Sequence, residues 1–278
     1  MRLLYNELFK IFSLWRSYIS YGLVAILMPI ILWAYGHGAE NLSLDTFDNS
    51  LNDLFIMVGN IANGFTAAYF IMNFFYLHIP FLIILVGGDA FAGEAATGTF
   101  RIYLTRPVSR LRVFISKVLG AFIYVIIMML VVAAMSLGLG VLWHGGGDML
   151  VFHNGILILS QEDATLRFIL AYAVTLESML LVVTIALFFS VLMRNAVGPI
   201  IAAMCVLIFS YAFSGLPLNL FENIRRYFVT YYFDMWKMAF FDPIPWSELV
   251  FGILFIAAHI VVFLVTAAIM FNRKDIQS

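Results

Sequence analysis

Apolar residues in this chain fall in long, nearly unbroken runs separated by short polar stretches. Six runs are long enough to cross about 30 Å of hydrocarbon as helices rising about 1.5 Å per residue. They cover 18–35, 65–86, 118–142, 168–193, 197–213 and 249–271. The fifth is the shortest and opens with Gly198-Pro199, where a proline in a first helical turn removes no hydrogen bond. Pro29 and Pro80 lie inside the first two runs, where a membrane helix accommodates them with a kink. The first 17 residues are patterned differently. Leu4, Leu8, Ile11 and Trp15 share one helical face, and Arg2, Asn6, Lys10, Ser13 and Ser17 the opposite one. That spacing predicts an amphipathic helix over 1–17 lying in the membrane interface, the alternative being a plain extension of the first span.

Composition agrees with the pattern. The chain is 64% hydrophobic and 11% charged, with a mean hydropathy of +1.01. A soluble domain carries about 25% charged residues, so lipid must solvate most of this surface. Net charge is −1, but the distribution says more: eleven Lys and Arg fall on the side of the termini and four on the other. The positive-inside rule then puts both termini in the cytoplasm, together with the polar interruption at 87–117. The outer stretch 36–64 holds Glu40, Asp45, Asp48 and Asp53 and no Lys or Arg. Glu7, Lys10 and Arg16 interrupt any cleavable signal peptide. Cys205 is the single cysteine, which excludes an intrachain disulfide and a Cys-based metal site, and its apolar run predicts a buried spectator thiol.

The interruption at 87–117 carries five of the 15 basic residues. Gly87-Gly88 and Gly93 are expected to end the second span. Ala95, Ala96, Phe100 and Leu104 support a short helix over 94–104, which Thr105-Arg106-Pro107 stops. Ser109 is the expected N-cap of the third span. A basic loop that merely obeys the positive-inside rule is the simpler alternative.

The string Gly93-Glu94-Ala95-Ala96-Thr97-Gly98-Thr99, then Leu104, Arg106-Pro107-Val108-Ser109-Arg110 and Lys117, resembles the cytoplasmic motif of ABC-2 type transporter permeases. The interfacial helix, the six spans and a longer outer loop before the last span resemble that family in topology, while about 25 residues carry the sequence likeness. The resemblance implies an all-α integral membrane domain of type V exporter-like architecture spanning 1–278, in a bacterial cytoplasmic membrane. It makes 87–117 a coupling segment seated in an ATP-binding subunit, with Glu94, Gly98, Thr99, Arg101 and Arg110 at the interface. It also implies a second permease copy or paralogue, and short re-entrant or interfacial helices over 215–246, a stretch rich in Phe, Tyr and Trp. Membrane lipid is the other expected partner, and nucleic acid is not one.

The residues limit the chemistry. None of the four lysines follows a glycine, so a Gly-x-x-x-x-Gly-Lys phosphate loop is absent and ATP with its Mg²⁺ must be handled by a partner. No catalytic motif appears, and the chain is not expected to be an enzyme. Glu177, about ten residues into the fourth run, reads either as a residue of the translocation path or dimer seam, or as a locally satisfied carboxyl. His78 and His259 read as packed histidines. His144, Asp148 and His153 match no metal template. The competing functional classes are an ion-coupled secondary transporter, which needs a midplane ion site, and a non-transporting mechanical transmitter coupled to an ATPase.

Overall fold

The structure is a computed structural model that describes residues 2–41, 63–98, 109–152, 156–215 and 227–274. Its helices are α1 (Arg2–Ser13), α2 (Trp15–Asn41), α3 (Gly64–Ala96), α4 (Arg110–His144), α5 (Gln161–Leu192), α6 (Gly198–Gly215) and α7 (Trp246–Arg273). A 3-10 helix spans Val229–Phe240. The sequence pattern gave no strands, yet β1 (Met149–Phe152) and β2 (Ile156–Leu159) pair antiparallel, with Met149 opposite Leu159 and Phe152 opposite Ile156.

Helices α2, α3, α4, α5 and α7 are long and apolar enough to cross a membrane, and α6 is a shorter apolar helix. The protein is thus a helical, multi-pass integral membrane protein. Its outer surface fits that class. Helix α2 turns Ile26, Ile30 and Trp33 outward, and α7 turns Phe251, Leu254, Val261, Val262 and Val265 outward. Apolar side chains exposed in continuous stripes require lipid around them. Helix α5 lies at the centre and packs against α3, α7, the 3-10 helix, α6 and α4.

The helices alternate in direction and so define two ends. Helix α1, the C-termini of α3, α5 and α7 and the N-terminus of α4 share one end, here the α1 end. The hairpin and the 3-10 helix sit at the other. At the hairpin end α3 and α4 touch backbone to backbone. Gly64 N donates to Gly145 O at 2.9 Å, and a Cβ on Gly64 would lie 2.4 Å from the Gly140 carbonyl carbon. Small residues permit such close crossings between membrane helices. Asn63 caps α3 by accepting from Phe65 N and Thr66 N, and its amide donates to Asp148 O at 2.6 Å, tying in the turn before β1.

Three local expectations change. Helix α3 does not stop at Gly87-Gly88 but runs on to Ala96, 33 residues in all. Those glycines are packing positions. A Cβ on Gly87 would meet Val183 Cγ2 at 2.9 Å, and one on Gly88 would meet Ile200 Cγ1 at 2.7 Å. Ser190 fastens the same turn, accepting from Phe91 N and Ala92 N, each at 2.9 Å, and donating to Gly88 O at 2.6 Å. Second, α1 ends at Ser13, and Trp15 already belongs to α2. Ser17 is buried, donating from Oγ to Ile11 O at 2.5 Å, while Trp15 is 76% exposed, the reverse of their expected faces. Third, Cys205 is exposed on α6 rather than buried. Ser109 does occupy the N-cap position of α4, without a side-chain capping bond. Within 215–246 the 3-10 helix buries Tyr232, Phe233, Trp236 and Phe240 against the bundle, and Arg167 of α5 donates to Phe241 O at 2.5 Å.

Candidate functional site

At the α1 end, three acids and three bases from four helices converge. Helix α1 brings Glu7 and Lys10, α2 Arg16, α3 Asp89 and Glu94, and α4 Lys117. Lys117 Nζ lies 3.0 Å from Glu7 Oε2 and 2.7 Å from Glu94 Oε1, and donates to Ala90 O at 3.0 Å. Its ammonium also stands 5.6 Å from the centre of the Phe91 ring. Lys10 pairs with the same Glu94 oxygen, and Arg16 Nη1 lies 2.6 Å from Asp89 Oδ1. Lys117 is 1% exposed, Glu7 4% and Glu94 5%.

The arrangement follows from how α1 meets α4. Ile11 and Glu7 face Gly120, where a Cβ would lie 3.2 Å from Ile11 Cδ1 and 3.4 Å from Glu7 Cβ. The missing side chain brings α1 close enough for Glu7 to reach Lys117 one turn away. The aromatic side chains Tyr5 and Phe9 point away from the protein, as suits a helix lying in the interface. Burial, then the charge of Lys117, pushes the Lys10 ammonium below the usual lysine range, against the pull of Glu7 and Asp89. With equal numbers of each sign, the cluster is neutral. Neutrality permits burial; a buried ion pair adds little net stability, but losing one partner is costly.

The residues expected at a partner interface are distributed differently. Glu94, which the resemblance puts at a partner interface, is buried in this cluster, because α3 continues past Gly93 and carries it back against α1 and α4. Gly98 follows the end of α3 at φ +69°, exposed, with nothing among the described residues within 4 Å of a Cβ built there. Thr97 Oγ1 donates to Gly93 O at 3.0 Å and finishes the helix. Arg110 turns to the C-terminus of α7 and donates to Asn272 O at 3.0 Å and Lys274 O at 2.8 Å. Lys274 continues that link to α5, donating to Val191 O at 2.5 Å. Thr99 and Arg101 lie outside the described residues.

Glu177 is half-buried on α5, where it prolongs a stripe of outward-facing Leu166, Ile169 and Ala173. Among the described residues no hydrogen bond or ion pair reaches it. His78 and His259 contact the carbonyls of Phe74 and Phe255, four residues back, at 2.6 and 2.8 Å. His144 Nε2 meets Leu32 O at 3.1 Å; His153 lies outside the described residues. Among the described residues no group of three His, Cys, Asp or Glu is placed to hold a metal.

Glu7, Arg16, Asp89 and Lys117 were not singled out as site residues from the sequence. One of them left a readable signal. Glu7 shares a helical face with Leu4, Leu8 and Ile11, so it is an acid inside an apolar stripe, which calls for a buried cation.

The sequence profile of a family described as "Protein of unknown function (DUF2705)" matches residues 17–277. The chain is also similar to the "Uncharacterized protein YhcI" of Bacillus subtilis (strain 168), at 24% identity over 322 residues covering 99% of each chain.

Proposed function

The chain belongs to the DUF2705 family. From its sequence motif and its fold we propose that it is the membrane-spanning permease subunit of an ATP-driven ABC-2 type exporter. A separate ATP-binding subunit seats against the α1 end, which faces the cytoplasm of a bacterial cell, and α6 is the sixth crossing. ATP hydrolysis in that subunit moves a substrate across the membrane. The observation that carries this reading is the braced end of α3. At 33 residues α3 is about 50 Å long, well beyond the roughly 30 Å of hydrocarbon, so its last turns project past the lipid. They finish at Gly98, exposed among the described residues, and the neutral charge cluster behind Gly98 locks them to α1 and α4. A push at Gly98 is therefore delivered to three helices together rather than dissipated in a loop.

Glu177 belongs to the seam between two permease copies. A carboxylate on a lipid-facing stripe costs about 2.5–3.5 kcal/mol on insertion scales, and a second copy covering that stripe removes the exposure. An ion-coupled transporter needs several polar groups around a midplane site, and Glu177 stands there without a hydrogen-bond partner among the described residues.

The test is co-purification from the native membrane. The tagged chain is expected to bring down a polypeptide with ATPase activity. Gly98→Asn keeps the left-handed conformation and should retain the partner, whereas Gly98→Trp fills the space the partner needs and should lose it. Equal recovery with both variants, or no ATP-hydrolysing partner with the parent chain, overturns the reading.

A further inference from the structure

At the hairpin end, a cavity of about 790 Å³ opens between α3, α6, the 3-10 helix and the first turns of α7. That volume is in the range of small-molecule sites, roughly 300–1,000 Å³. Its walls are aromatic: Tyr76, Tyr211, Tyr231, Tyr232 and Phe251 line it. Its charged groups among the described residues are Asp234, Glu248 and Lys237, an excess of one negative charge.

Lys237, on the cavity wall, shows how an ammonium is held at its edge. Its Nζ lies 3.0 Å from Asp234 Oδ1, 5.4 Å from the centre of the Tyr76 ring and 5.8 Å from that of Trp236. One carboxylate and two ring faces thus hold an ammonium supplied by the chain itself. Glu248, exposed in the first turn of α7, has no cation paired with it among the described residues. The buried Tyr211 hydroxyl likewise lacks a hydrogen-bond partner among the described residues. Ring faces attract cations through their quadrupoles, more strongly where water is excluded.

We propose that this cavity binds an amphiphilic organic cation, with its charge near Glu248 and Asp234 and its apolar body against the tyrosine and phenylalanine rings. Lys237 is then a built-in competitor that lowers affinity for such a ligand. The site rests on the cavity alone, so loss of the ATPase reading leaves it standing, and binding is measured on the chain without any partner.

The probe is tetraphenylphosphonium, with tetraphenylborate as an anion of the same size and shape. Binding to the purified full chain in lipid nanodiscs is followed by equilibrium dialysis, with empty nanodiscs subtracted. Saturable binding of the cation is expected, with no competition from the anion. Asp234→Asn and Glu248→Gln should each weaken it about fivefold or more. Lys237→Gln should tighten it by a similar factor, a sign that damage to the fold does not produce. Absence of saturable binding, equal competition by tetraphenylborate, indifference to the carboxylate variants, or unchanged or weaker binding in a Lys237→Gln chain with parental thermal stability each overturns the proposal.

Discussion

At 1% exposure Lys117 carries an ammonium into the protein, and carboxylates from two other helices meet it there. Lys117→Met removes the cation and leaves Glu7 buried beside Glu94. Removing one partner of a buried pair costs about 3–5 kcal/mol, so thermal unfolding in detergent should fall markedly. The double variant Glu7→Gln/Lys117→Met should recover much of that loss, because the orphaned charge goes with its partner. Additive losses in this double-mutant cycle would refute the coupling. Arg110 makes the complementary point. The resemblance puts it at a partner interface, and in the structure its guanidinium binds the carbonyls of Asn272 and Lys274 at the C-terminus of α7. Nothing within a few positions of Arg110 encodes that contact, since the groups it binds are some 160 residues away.

Glycine has two opposite uses at the level of elements, and local sequence does not separate them. Gly98 ends α3 at positive φ, as a turn glycine does. Gly87 and Gly88 sit inside α3 because neighbouring helices occupy the space a Cβ would take. A helical glycine costs about 1 kcal/mol relative to alanine, and close packing against α5 and α6 offsets it. The same substitution should therefore act with opposite signs at two sites. Gly64→Ala forces a Cβ into the Gly140 backbone and should destabilise by about 1–3 kcal/mol. Gly22→Ala meets nothing within 4 Å among the described residues and should be neutral or stabilising by up to about 1 kcal/mol. Equal effects on the unfolding temperature of the two variants would contradict the packing at Gly64. The hairpin was not legible for a related reason. Its strands are four residues each, too short for a period to register, and Asn63 ties the turn before them to α3 from about 85 positions away.

For the whole molecule, the outer surface is the main prediction. Cys205 faces outward from α6 and is the chain's single cysteine, so one thiol reports on that helix. In bilayers it should resist a sulfonated, impermeant maleimide applied from either side, and react with it once the protein is denatured in detergent. Labelling by the impermeant reagent in bilayers would place α6 in water and remove it as a crossing. The class of the molecule was readable in advance because hydropathy accumulates along the chain. A run of about 20 apolar residues in lipid must satisfy its own backbone, and a helix does so without help from elsewhere. The sequence by itself therefore determined a helical membrane protein, the approximate position of each apolar helix, and the separate amphipathic helix ahead of them. Tertiary structure alone decided which charges turn inward, which glycines are contacts rather than turns, and that Glu94 is enclosed at the α1 end with Lys10 and Lys117. Those outcomes depend on groups such as Glu7 and Lys117, 110 positions apart, whose interaction exists only once α1 lies across α4.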